Sequence, residues 1–457
     1  MAVQDNEPDR WGERLPRRLG PWSAGAVVIG STIGSGIFRT PAVIAERVES
    51  LAMFALVWVA GAVIALCGAL TYAELSSMMP RTGGIYVYLR EAFGRLPAFL
   101  FGWAELLVLR PAAYGAIAIT CADYTWRLLG ADGEAAALLG LTRTQLTAAG
   151  LILVVGVANM RGVTLGAAIQ NVSTVLKIAA LLALCGLGAR YAFDVGPAVG
   201  GTTRTLETPT AAFGLAMVSV LWAYDGWSDV GFVSGEVRDP QRTLPRAFLL
   251  GTLAVAVLYL AVNVAYLAVI PLAEMPQREL VAADVAAIAI GQGGVAFVSA
   301  AVAVSTFGTL NGSLMTGPRV FYAMAEDGLF FRALAHVDPR HGTPSRAIGM
   351  SVVLGIVFVS IRGFAELADQ FVIGIWPFYA AGVLAVFVLR RREPTRERPY
   401  RTWGYPWVPG VFLLATLYLL GSYLVTQPLM FLASFGVIGL GVPVYRVWIA
   451  RRSTSSG

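Results

Sequence analysis

Apolar windows of about 20 residues, bounded by Arg, Pro or Gly clusters, recur twelve times along the chain. They cover residues 21–46, 51–78, 97–127, 142–160, 166–190, 209–236, 244–270, 293–325, 346–362, 366–390, 406–426 and 429–449. A hydrocarbon core about 30 Å thick requires about 20 apolar residues of helix. In lipid every backbone polar group must be satisfied within the chain, so such windows fold as helices. The pattern predicts an all-α integral membrane protein with twelve transmembrane helices. Composition agrees: 57% of the 457 residues are hydrophobic and 14% charged, against about 25% charged in an ordinary soluble domain. The net charge of +6 is scattered through short loops and forms no basic face, which excludes nucleic-acid binding.

Charge also predicts orientation. With the N-terminus inside, 24 of the 34 Lys and Arg residues fall in inner segments and eight in outer ones, while Arg110 and Lys177 lie within spans. This bias fits the positive-inside rule and an even number of spans. Both termini are therefore expected in the cytoplasm of a multi-pass protein of the cell inner membrane or plasma membrane. The first 20 residues lack an apolar core, so no cleaved signal peptide is expected. Cys67, Cys121 and Cys185 lie in apolar runs and show no CxxC spacing, while His336 and His341 share one polar loop. No metal or cofactor is expected, and no GxxxxGK[ST] phosphate cradle is present.

Two spans carry residues that interrupt a helix. Span 1 contains GSTIGSGIF, residues 30–38, and span 6 contains WAYDGWSDVG, residues 222–231, with Gly226 and Gly231 around two acidic side chains. Taken singly, Gly30, Gly34 and Gly36 also suit a helix-packing face. The pair says more. Span 1 starts inside and span 6, five spans later, starts outside, so the interruptions occupy corresponding positions in halves of opposite orientation. That is the inverted-repeat arrangement, in which broken helices meet at a midplane substrate site. Half-helix N-termini present N–H groups to an anion and freed carbonyls face a cation, which suits a zwitterion.

GSTIGSGIF, YAELSSMMPRTGGIYVYLREAFGRLPAFLFGW after span 2, ELLVLRPAAY in span 3, WAYDGWSDVGFVSGEVRDPQRTLPRA in span 6 and STFGTLNGSLMTGPRVFYAMAEDGLF in span 8 together resemble the L-type amino acid transporters of the amino acid, polyamine and organocation superfamily. The resemblance runs from about residue 20 to 401. It implies a LeuT-like fold of two five-helix inverted repeats plus two helices. The chain then divides into an N-terminal tail (1–20), a first repeat (21–190, spans 1 to 5), a second repeat (209–390, spans 6 to 10), and a linker, spans 11 and 12 and a tail (391–457).

By the same resemblance, the amides of Gly34, Ser35 and Gly36 receive a substrate carboxylate. The carbonyls of Thr32, Trp222 and Asp225 receive the amine, with Tyr224 and Gly226 completing the site, and Trp222 gates it. Residues 128–142 hold no cysteine, where eukaryotic members bond covalently to a heavy chain, so no disulfide-linked heavy chain is expected. Asp225 stands where many L-type members carry glycine, which keeps a cationic substrate open beside a neutral one.

Lys177 is the only lysine, and a rise of 1.5 Å per residue places it about 16 Å into span 5. Burial there is costly, so the side chain is expected to face the bundle. Resemblance implies that its ammonium takes the place of a sodium ion, bracing span 1 against span 8, with carbonyls near Gly30 and the hydroxyls of Ser305 and Thr306 facing it. A titrating proton carrier and a fixed structural cation are both open. Glu105 and Arg110 are expected to pair although five-residue spacing is poor for one helix face. Asp123 is expected in a solvated outer vestibule. For Glu236 an inner-gate ion pair and a solvated helix end are both open. Trp376 and Tyr379 are read as packing or route-lining residues, and the five arginines before Tyr400, in the linker 390–410, as topology and lipid contacts.

These readings predict a secondary transporter of L-amino acids, neutral by preference, acting as an exchanger or a proton symporter. A cationic amino acid or polyamine transporter is the alternative, and a membrane-embedded enzyme a distant one.

Overall fold

The computed structural model describes residues 11–48, 50–138, 140–198, 209–278, 280–361 and 364–454. Arg10, Arg204 and Arg362, which entered the charge count, lie outside the described residues. The chain forms α1 (Pro21–Thr32), α2 (Gly36–Glu46), α3 (Leu51–Met78), α4 (Ile85–Phe93), α5 (Arg95–Ala104), α6 (Arg110–Leu128), α7 (Arg143–Met160), α8 (Val163–Asp194) and α9 (Pro209–Ala223). There follow α10 (Asp229–Phe232), α11 (Pro240–Val269), α12 (Val281–Ile290), α13 (Gln292–Thr316), α14 (Pro318–Glu326), α15 (Ser345–Ile361), α16 (Phe364–Arg392), α17 (Trp407–Thr426) and α18 (Pro428–Thr454). Among the described residues, ten helical segments are long and apolar enough to cross a membrane, and three apolar helices are shorter. Two helices were not anticipated: α4 and α12 lie between the apolar windows, and at nine and ten residues they are too short to span.

Both glycine-rich stretches break their helices, and the reason is close approach. Between α1 and α2 the chain leaves helical geometry at Ile33, and Gly34 N–H turns back to the Thr32 carbonyl at 2.8 Å. Between α9 and α10 it turns through residues 224–228. A Cβ on Gly36 would stand 2.5 Å from Ala223 Cα, and one on Gly226, whose φ is +106°, would stand 2.7 Å from the Ser31 and Thr32 backbone. The breaks interlock at these two positions, where only glycine fits both the space and, at Gly226, the left-handed backbone.

Packing places α1 at the centre, against α8, α11 and α13, while α13 also packs on α6. One end of the bundle is closed by residues 11–19, a strap that buries Trp11, Leu15 and Leu19. Leu19 pairs with Val237, and the Glu236 carbonyl accepts from the amides of Arg18 and Leu19 at 2.8 and 2.9 Å. Glu326 holds the strap's other end, accepting from Gly12 N–H at 2.7 Å and meeting Arg14 at 3.1 Å. The opposite end carries a short hairpin, Ala136–Leu138 against Leu141–Thr142.

Candidate functional site

The interlocked breaks enclose a cavity of about 40 Å³, walled by Ser31, Thr32, Gly34, Ser35 and Gly36 from the first break and Trp222, Asp225, Gly226 and Asp229 from the second. Arg110, Ala113 and Ile117 of α6, Thr309 and Ser313 of α13, and Phe371 of α16 complete the lining. The amides of Ser35, Gly36 and Ile37 head α2 and meet no backbone acceptor among the described residues. Ser35 Oγ, also buried, makes no hydrogen bond among the described residues. Unpaired N–H groups at a helix start form an anion site. Across the cavity, the Asp225 carbonyl accepts no hydrogen bond among the described residues.

Four expectations about this site need correction. The Thr32 carbonyl is already filled: it accepts from Gly34 N–H at 2.8 Å and Tyr259 Oη at 2.9 Å. A carbonyl has two lone pairs, so it and the Gly34 amide are engaged internally. Tyr224 turns away from the cavity, its ring packed 5.2 Å from Tyr259 and 5.9 Å from Trp58. Thr306 does not face Lys177, because its hydroxyl returns to the Val302 and Ala303 carbonyls of its own helix.

Lys177 donates to the Gly30 carbonyl at 2.5 Å, as expected, and its hydroxyl partner is Thr309 Oγ1 at 2.7 Å. Ser305 reaches the next turn, donating to the Ile33 carbonyl at 3.2 Å. The bracing of span 1 against span 8 therefore runs through Thr309, one turn from Ser305 on the same face of α13.

The polar wall of the cavity is the part least legible in the sequence. Residues Glu105–Leu109 form a π turn, in which the backbone bond runs from i to i+5. That widening brings residues five apart together, and Arg110 Nε donates to Glu105 Oε2 at 2.5 Å. Arg110 also stands 3.6 Å from Asp229 Oδ1 and 4.7 Å from the Phe232 ring centroid. Thr316 donates to Asp229 Oδ2 at 3.3 Å. Asp225 Oδ1 accepts from Tyr379 Oη at 2.7 Å, and Ser228 donates to that same Tyr379 oxygen at 3.2 Å. Tyr379 is thus a site-support residue, whereas Trp376 stacks on Phe412 at 5.2 Å. Trp222 packs edge-on against Phe371 at 5.6 Å and borders the cavity.

Beyond the cavity toward the strap, Glu236 is fully buried and held by Arg319 through bonds of 2.8 and 3.2 Å, so it is an ion-paired residue and not a solvated helix end. The arginines after residue 389 also differ from expectation. Arg390 clasps the buried Glu74 carboxylate at 2.9 and 2.6 Å, Arg398 approaches it at 3.4 Å, and Thr402 N–H donates to it at 2.7 Å. That cluster pins the linker to α3. Among the described residues no group of three or more His, Cys, Asp or Glu side chains is placed to hold a metal.

With this geometry in view, residues 19–442 match the family model described as amino acid permease. The chain belongs to the amino acid permease family. This permease is 33% identical to the serine/threonine exchanger SteT of Bacillus subtilis (strain 168), over 94% of its own length and 96% of that protein. It is 30% identical to the b(0,+)-type amino acid transporter 1 of Mus musculus, over 91% of its length and 84% of the other. It is 29% identical to the human cystine/glutamate transporter, over 95% and 86%. In fold the permease is similar to Mhp1, a nucleobase-cation-symport-1 family transporter in a closed conformation, with a TM-score of 0.59 at 16% identity over 99% of this chain and 96% of that one. The permease is therefore a multi-pass amino acid transporter with a LeuT-like fold neighbour, and its relatives are transporters and exchangers, not enzymes.

Proposed function

We propose that this permease moves small neutral L-amino acids across the cell membrane by alternating access, as an exchanger or proton-coupled symporter. The observation that carries the reading is the cavity itself. Ser35 and Gly36, whose amides meet no backbone acceptor among the described residues, and Asp225, whose carbonyl accepts no hydrogen bond there, line one cavity, an arrangement that suits the two charged ends of an amino acid. In this assignment the carboxylate binds the start of α2, the amine binds the Asp225 and Trp222 carbonyls, and Trp222 closes over the substrate. The serine/threonine exchange for which SteT is named agrees with a short polar substrate beside Ser313, Arg110 and Asp229.

The ten long segments, with the shorter helices at 212–223 and 345–361, make up twelve spans. On this count both termini lie inside, the two five-span repeats of 21–190 and 209–390 surround the interlocked breaks, and the strap closes the cytoplasmic mouth. The permease acts without a disulfide-linked heavy chain.

One observation favours a second reading. The Asp225 carboxylate borders the cavity with a hydroxyl as its hydrogen-bond donor, so a cationic side chain would find a partner there. Thermal-shift profiling of the purified permease against the common amino acids and amines separates the two, because a ligand that binds the folded state raises its melting temperature. Stabilisation by serine, threonine or alanine supports the neutral reading, and stabilisation confined to arginine, agmatine or polyamines supports the other.

A further inference from the structure

The second break carries more negative charge than its surroundings balance. Asp225 and Asp229 line the central cavity together with Arg110. One guanidinium serves two carboxylates there, since Arg110 meets Glu105 at 2.5 Å and Asp229 at 3.6 Å. Lys177 supplies the second cation through Thr309, which lines the same cavity, and its ammonium is engaged by the Gly30 carbonyl and Thr309 Oγ1. Asp225 joins no ion pair among the described residues, and its carboxylate takes one hydrogen bond there, from Tyr379 Oη. The sequences of α1 and α13 contain no ionisable side chain, and Arg39 on α2 pairs with Asp123. Tyr72, Tyr114, Tyr224, Tyr259 and Tyr379 are phenols, uncharged at neutral pH. Three carboxylates therefore stand against two cations.

An amino acid with a neutral side chain brings equal and opposite charges and leaves this deficit as it was. Uncompensated charge in a buried site is costly, and one further positive charge removes it. Hydrogen bonding marks where that charge goes. Ser228 donates to Tyr379 Oη, and Tyr379 gives its only proton to Asp225 Oδ1. The other oxygen, Oδ2, accepts no hydrogen bond from a described residue. A separate sign that a ligand completes the site is Ser35, 2% exposed, which lines the cavity with a hydroxyl that makes no hydrogen bond among the described residues.

We propose that Asp225 Oδ2 holds one exchangeable positive charge: a proton when the substrate is a neutral amino acid, and the side-chain ammonium when it is a short diamino acid. The two compete for one oxygen. A neutral substrate crosses with the carboxyl protonated, the proton coming from water on one side and returning to water on the other. A diamino acid crosses with the carboxylate ionised. Each loaded crossing thus carries one positive charge, so exchange of external diamino acid for internal serine is electroneutral and moves one proton outward with the serine.

The inference rests on the transport reading above and assigns the proton within it. The probe is L-2,4-diaminobutyrate, whose side chain is close in length to those of the small neutral substrates. Full-length permease is reconstituted in vesicles loaded with serine, in a weakly buffered medium containing a pH dye. Adding diaminobutyrate should release about one proton for each labelled molecule taken up, adding serine should release none, and an imposed membrane potential should change the exchange rate less than about twofold. The diaminobutyrate concentration that halves labelled serine uptake should fall at least about tenfold from about pH 5.5 to about pH 7.5. In Asp225→Asn, checked for folding by its melting temperature, that concentration should rise at least about tenfold over the wild type and lose its pH dependence. The wild-type readouts need no variant and decide the matter if Asp225→Asn does not fold. Exchange without proton release, competition that ignores pH, or no competition at any pH overturns the proposal, while continued serine exchange leaves the transport reading in place. Retained pH dependence in a folded Asp225→Asn likewise overturns it. A wild type that takes up no L-amino acid overturns the transport reading and this site with it.

Discussion

Lys177 Nζ lies 2.5 Å from the Gly30 carbonyl and 2.7 Å from Thr309 Oγ1, so one buried ammonium ties α8 to both α1 and α13. Gly30 sits one turn before the break at Ile33, and the Ile33 carbonyl accepts from the same Thr309 hydroxyl at 2.9 Å. The lysine therefore holds the hinge of the first broken helix without lining the cavity.

Lys177→Ala should reduce the transport rate at least about tenfold while changing substrate Kd by less than about threefold, because the lost contact couples helices and does not touch ligand. Initial rates in proteoliposomes and binding to purified protein measure the two quantities. Equal rates for variant and wild type would contradict this role. If the lysine also carries the proton, gradient-driven uptake vanishes in Lys177→Ala while counterflow persists, and a wild type insensitive to an imposed gradient assigns it the structural role alone.

Glu105→Gln should destabilise the permease by about 3 to 5 kcal/mol, since it removes one partner of a buried ion pair and leaves Arg110 with Asp229 at 3.6 Å. The double variant Glu105→Gln, Arg110→Met should cost less than the sum of the single ones. Melting temperatures of the three proteins check this, and strict additivity would contradict the pairing.

How far the sequence disclosed this arrangement depends on the range over which each signal acts. The breaks were legible because glycine clustering is local, and their interlocking follows from Gly36 and Gly226 lying in stretches that occupy matching positions in opposed halves. The pairing of Glu105 with Arg110 was expected against a spacing that is poor for one helix face, because a 3.6-residue period holds only while the helix stays α, and nothing in ELLVL announces the π turn that brings them together. Glu74 meets Arg390 across 316 positions of chain, and Asp225 meets Tyr379 across 154. Such pairings depend on how the helices pack, so a reading based on local spacing assigned the arginines of the linker to lipid and Tyr379 to packing or route lining. The Thr32 carbonyl was assigned by resemblance, and the Tyr259 hydroxyl that fills it comes from α11, a contact that the local sequence does not announce.

Asp225→Asn keeps an acceptor for Tyr379 and removes only the charge. For a neutral substrate the affinity should change by less than about tenfold, or about 1.4 kcal/mol. For a cationic substrate the loss should reach the roughly 2 to 5 kcal/mol of a broken desolvated charge pair. Isothermal binding measurements with serine and with arginine distinguish the outcomes.

Glu236→Gln should loosen the strap end of the permease, because Arg319 holds both carboxylate oxygens there. With Cys67, Cys121 and Cys185 replaced and a cysteine placed at Ser313, labelling by an impermeant thiol reagent from the strap face should accelerate at least about fivefold. An unchanged rate would show that this ion pair does not control access to the cavity.

The most direct measurement is trans-stimulated uptake in proteoliposomes. Vesicles loaded with unlabelled serine should take up labelled serine, threonine or alanine saturably, and empty vesicles should do so far more slowly unless a proton gradient is imposed. Absence of uptake for every L-amino acid, or uptake restricted to arginine, agmatine or polyamines with serine and alanine inert, would contradict the account.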